Sequence, residues 1–122
     1  MQILAQIFIA LVALEHIYIL WMEMFAWETA GKRTFKGALP ADLFKPTKTL
    51  AANQGLYNGF LAAGLIWTFF ISDALWKNYI ALFFLSCVAM AGIYGAMTAS
   101  RKIFFVQALP AIFAFVFVLF AL

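Results

Sequence analysis

The sequence predicts an all-α protein, a transmembrane bundle of four helices in up-down order, and three observations carry that expectation. Apolar residues make up 67% of the 122 residues and charged ones 11%, whereas a soluble domain is about half apolar and a quarter charged. The mean hydropathy is +1.00. Residues 49–72, 78–100 and 103–122 contain no Asp, Glu, Lys or Arg, and at about 1.5 Å rise per residue each reaches roughly 30 Å, the depth of a bilayer's hydrocarbon core. Helices satisfy their own backbone groups where no water can, so a chain of this kind reads as one four-span domain over residues 1–122.

The first span is residues 3–26, apolar except for Glu15, His16 and Glu23. Its opening, MQILAQIFIALVAL, has neither the basic start nor the small-residue cleavage site of a secretory signal and reads as a retained span. The connection from Trp27 to Lys48 holds Gly31, Gly37, Pro40 and Pro46 together with Lys32, Arg33, Lys36, Lys45 and Lys48. Within it Leu39, Leu43 and Phe44 fit either one short interfacial turn or a tethered loop. The breaks around Ser72-Asp73, Lys77-Asn78 and Ser100-Arg101-Lys102 are short, which makes consecutive spans antiparallel neighbours. In the third span Gly92, Gly95, Ala96 and Ala99 form a small-residue strip suited to close packing against the fourth. Pro110 lacks an N–H and is expected to bend the fourth helix near Gln107.

Charge placement sets orientation and excludes one class of partner. Seven of the eight Lys and Arg lie in the first and third connections, so those face the cytoplasm and both termini face out. The formal net charge of +3 therefore reports topology and not a nucleic-acid partner. Trp27 at one boundary and Trp76 with Tyr79 at the other are placed to anchor the interfaces. Cys87 is alone and forms no internal disulfide. One His without an HxxxH or HExxH pattern gives no expected metal site, and no cofactor is expected.

The chemistry is concentrated in LEHIYILWMEMFAW. Each ionisable group in hydrocarbon costs on the order of 2.5 to 3.5 kcal/mol, so three in one span need compensation. At about 100° per residue Glu15, His16 and Glu23 share an arc with Val12 and Ile19, the side expected to face the bundle interior. The second span offers Asn53, Gln54, Tyr57 and Asn58 over an arc of about 140°. These groups serve either as a ligand lining or as hydrogen-bonding glue between helices, and Gly55 and Gly59 on a neighbouring strip fit close helix approach or a homo-oligomer contact. Tyr94, Thr98 and Gln107 fall in the same cytoplasmic half. A polar pocket is expected to begin at Glu15 and His16 near the midplane and to open toward the basic side.

Such a set titrates as a unit and suits three functional classes. The first is binding or moving a small or lipophilic molecule coupled to protonation of the Glu/His cluster. The second is an intramembrane acid–base enzyme acting on a lipophilic substrate, isomerase-like, with His16 and Glu23 exchanging the proton. The third is a structural membrane protein whose polar groups only pair with each other. LEHIYILWMEMFAW, a basic loop and NQGLYNGFLAAGLIW together resemble a family of small four-span bacterial membrane proteins classed as domains of unknown function. The resemblance spans nearly the whole chain and implies a bacterial cytoplasmic membrane, with the lipid bilayer as partner and no activity attached.

Overall fold

A computed structural model describes residues 2–122, and all five α-helices, two π-turns and two 3-10 turns lie among them. The α-helices are α1 (Gln2–Phe25), α2 (Lys32–Thr34), α3 (Lys48–Trp67), α4 (Ala74–Thr98) and α5 (Leu109–Leu119). The fold is all-helical; the differences from the sequence reading are local. A single helical turn, α2, appears inside the long first connection. The last helix is preceded by a π-turn at Phe104–Ala108. By length and composition α1 and α4 can each cross a membrane, while the apolar stretch Phe104–Leu119 is shorter.

Local chemistry sets the ends of these elements. The Asp73 carboxylate accepts the Trp76 N–H at 2.9 Å, an N-cap that starts α4 early and places Trp76 and Lys77 inside it. Pro110 has no N–H, and its ring crowds the carbonyl one turn back. The chain meets this with the wide turn ahead of the proline, in which the Leu109 N–H reaches back five residues to the Phe104 carbonyl. The bend expected near Gln107 therefore takes the form of a π-turn that contains Gln107.

Helices α1, α3, α4 and α5 pack side by side, α1 against α3 and α5, and α4 against α5 and α3. Gln2, Gln6, Ile71, Ser72, Asn78 and Ala121 line one shallow recess, so both chain ends and the α3–α4 connection share one end of the molecule. The other end holds the two basic connections. Near the terminal end lies the apolar core of Ala5, Ile9, Val12, Ala13, Leu65, Ala81, Leu85, Val88, Ala111, Ala114 and Val118, backed by Phe8, Phe84 and Phe117. Small residues bring the helices close. A side chain at Gly92 would strike the backbone and Cβ of Ala108, so the small strip of α4 does seat the last helix. Gly55 and Gly59 of α3 receive Leu20, Glu23 and Met24 of α1, so this strip is engaged within the chain and is not a free face for a second copy. The outward faces remain apolar, with Phe25, Phe70, Phe83, Met90, Met97, Phe105 and Phe120 exposed.

The first connection folds back as a plug. Phe44 is buried beneath Trp27, ring centroids 5.0 Å apart. Trp27 also packs against Phe35 at 5.6 Å, and its indole N–H donates to the Thr47 hydroxyl at 3.0 Å. The segment contains one short turn, a 3-10 turn at Ala41–Leu43, and is not a loose tether: three aromatic rings dock it onto the end of the bundle.

Candidate functional site

Two chambers open at the basic end. The first, about 240 Å³, is lined by Glu15, Tyr18, Ile19 and Met22 of α1, Thr34 and Phe35 of the plug, Ser100, Lys102 and Ile103 of the last connection, and Val106 and Gln107 of the π-turn. The second, about 590 Å³, is bounded by Glu23, Trp27, Gln54, Asn58, Thr98 and again Phe35, Ile103 and Gln107, with small residues of α4 as its back wall. Phe35, Ile103 and Gln107 form the partition between them. The wide turn positions this partition, because an extra residue per turn changes which side Gln107 faces.

Helical spacing along α1 distributes the three ionisable groups. Val12, His16 and Ile19 lie on its buried stripe, and His16 is wholly enclosed. The His16 Nδ1 lies 2.8 Å from the Val12 carbonyl. A carbonyl only accepts, so Nδ1 carries the hydrogen, and in the neutral ring Nε2 then presents a lone pair. That Nε2 is buried without a partner, and so is Oε1 of Glu15. Neighbouring side chains diverge by about 100° on a helix, so these two groups do not satisfy one another. Glu23, seven residues on, has a direct partner: the Asn58 Nδ2 donates to its Oε1 at 2.7 Å, and the same amide reaches the Gln54 carbonyl at 3.1 Å.

The structure brings together only part of the set named from sequence. Glu23, Gln54, Asn58, Thr98 and Gln107 border one chamber, and Glu15 and Gln107 the other. Asn53 is exposed, as are Tyr57 at 56% and Tyr94 at 70%. The reason is phase. Gly55 and Ala62 turn α3 toward its neighbours, which carries Tyr57 onto the outer face beside Phe60. Tyr94 points away from the strip by which Gly92 and Gly95 meet the last helix. The Thr98 hydroxyl returns to the Tyr94 carbonyl at 2.8 Å, so it lines the chamber with its own donor already engaged.

Sequence reasoning missed Phe35, Thr34, Ser100 and Lys102. The available signal was a lone aromatic in the basic stretch KRTFKG, since an apolar ring amid so many cations marks a docked loop. Among the described residues there is no grouping of three or more His, Cys, Asp or Glu able to hold a metal ion.

An all-helical bundle with hollow, carboxylate-bearing chambers at one end is the class that fold and site define. The chain belongs to the family described as "Protein of unknown function (DUF1304)", which it matches over residues 10–119. It is also 35% identical over 117 residues to the uncharacterized protein YpaA of Lactococcus lactis subsp. lactis (strain IL1403), covering 95% of this chain and 97% of that one. No solved structure matches it.

Proposed function

We propose that this is an integral protein of the bacterial cytoplasmic membrane, crossing it four times with both termini outside, and that it binds or moves a small lipophilic molecule in competition with a proton at Glu15. The membrane assignment is supported by helices apolar on nearly every outward face, an exterior water does not tolerate at this scale. It is supported also by the gathering of seven of the eight Lys and Arg at the end opposite the termini.

Two observations carry the ligand reading: Glu15 lines a cavity, and one oxygen of its carboxyl group, Oε1, is enclosed with no hydrogen-bond partner. Buried polar atoms are almost always paired. Away from water such an oxygen is served either by a proton or by an arriving donor or cation. Ile19, Met22 and Val106 then supply apolar walls for the rest of the ligand. A lipophilic amine fits this pattern, its ammonium on Glu15 and its hydrocarbon along those walls. Exchange of the carboxyl proton for the ammonium balances charge and releases one proton. A second copy of the chain remains a proposed partner, through a face other than the engaged glycine strip.

Detergent-purified protein in weakly buffered solution, titrated with benzylamine, tests this. Saturable binding with release of about one proton per chain is expected, and Glu15→Gln abolishes the release. Absence of binding by the wild type, or unchanged proton release in the variant, overturns the reading. If Glu15→Gln and His16→Ala alter only the melting temperature, the polar groups are structural.

A further inference from the structure

A third recess lies on the plug, apart from the Glu15 chamber and sharing Leu39 with the larger one. It measures about 640 Å³ and brings Lys32, Arg33 and Lys36 against Leu39, Pro40 and Phe44. Local chemistry builds it. Lys32 and Arg33 sit in the single turn of α2, Lys36 follows just beyond its end, and all three line the recess. Gly37 then takes φ +86, a left-handed conformation open to glycine and strained for other residues. This reverses the chain, and Lys36 and Leu39 pair as an isolated bridge. The returning Leu39 and Pro40 become the facing apolar wall. The floor is fixed because Phe44 is buried under Trp27.

The three cations that line the recess are exposed and, among the described residues, make no ion pair. Glu28 also lines the recess, and its carboxylate makes the one ion pair among the described residues, with Lys48 outside the recess, at 3.5 Å. Lys32, Arg33 and Lys36 have no carboxylate within salt-bridge distance. A free inorganic anion answers the charge but leaves Leu39 and Pro40 bare. A phosphodiester attached to a hydrocarbon chain answers both.

We propose that this recess is a binding site for an anionic phospholipid, its phosphate held by Lys32, Arg33 and Lys36 and the root of its acyl chains lying on Leu39 and Pro40. The site goes beyond the Glu15 chamber and shares with the preceding section only the membrane assignment. The polypeptide leaves α1 at Phe25 just before it, which puts the recess at headgroup depth on the basic face, where anionic lipids attract juxtamembrane cations.

The test uses full-length protein in uncharged maltoside, titrated with dihexanoyl-phosphatidylglycerol, dihexanoyl-phosphatidylcholine and inorganic phosphate. The glycerol lipid is expected to bind at least about tenfold more tightly than the choline lipid. The pair Lys32→Gln with Lys36→Gln is expected to weaken it by about tenfold or more, whereas the charge-matched pair Lys45→Gln with Arg101→Gln stays within about twofold. Gly37→Val, which keeps every charge but strains the reversal, is expected to weaken it too. Equal affinity for the choline lipid, equal affinity for inorganic phosphate, or an equal loss in the control pair overturns the proposal. Glu15→Gln protein binds the lipid normally if the site is separate. Resistance of the native protein in membranes to alkaline carbonate extraction checks the membrane assignment independently.

Discussion

The two ends of this bundle are made of similar apolar helices and do opposite things. Toward the termini, Ala, Val and Leu interlock around Leu85 and Leu65, and the polar side chains beside that core, Thr68 and Ser86, donate to carbonyls three and four residues back at 2.6 and 2.7 Å. Toward the basic end, carboxylates and amides surround open chambers, and each flanking segment widens into a π-turn, Trp27–Gly31 and Phe104–Ala108. Overall hydrophobicity does not separate the halves. They differ in whether polar atoms are closed off by the local backbone and whether the helices keep the regular pitch that lets small residues interlock. Close apolar packing concentrates in one half, and carboxyl and amide groups bordering open space in the other, the division expected where function draws on imperfect packing.

The largest test of this contrast is Leu85→Ala. Leu85 is completely enclosed, and the cavity left behind cannot be filled by water, so a loss of about 2 to 5 kcal/mol is expected, read as the shift in an unfolding transition in detergent. A loss below about 1 kcal/mol would mean that the closed half is not tightly packed.

Next in size is a pair one turn apart on α4. A Cβ at Gly92 would lie 2.7 Å from the Ala108 backbone nitrogen, whereas one at Gly95 would meet the Ile103 side chain at 3.1 Å. Backbone cannot yield and a side-chain methyl can, so Gly92→Ala is expected to cost about 1 to 3 kcal/mol and Gly95→Ala under about 1. Equal effects would erase the boundary drawn between the halves.

Much of this fold can be read from the chain. Apolar runs place the helices to within a few residues: 3–26 against Gln2–Phe25, and 103–122 against a π-turn and helix covering Phe104–Leu119. The early start of α4 follows from Lys77 being read as a loop residue when the Asp73 cap holds it in the helix. The candidate site is less legible. A helix apolar nearly all round offers no polar stripe to fix its rotation, so Asn58, which reaches Glu23, could not be separated from Tyr57, which does not. The plug depends on Trp27 finding Phe44, a pairing no local pattern encodes.

Within the hollow half, the Asn58 to Glu23 bond is the main polar link between α1 and α3. Asn58→Ala is expected to cost about 1 to 3 kcal/mol, because it strips a half-buried carboxylate oxygen of its donor as well as removing one hydrogen bond. The double variant with Glu23→Ala is expected to recover part of that loss, since no stranded oxygen remains. Additive losses in the unfolding transition would show that the two side chains act separately.

The smallest expected effect is the most discriminating. Ala91 lines the larger chamber, while Ala114 is fully enclosed in the closed core. Enlarging both to leucine adds the same atoms to the two halves. At Ala114 they have nowhere to go, and overpacking is expected to cost about 1 to 3 kcal/mol. At Ala91 they enter open volume, so the melting transition should move by less than about 0.5 kcal/mol in either direction. Because the added side chain projects into the chamber of Glu23 and not that of Glu15, Ala91→Leu is also expected to leave benzylamine-linked proton release intact. Loss of that release would mean that Phe35 and Gln107 do not partition the two spaces, and that a ligand at Glu15 extends through to Asn58.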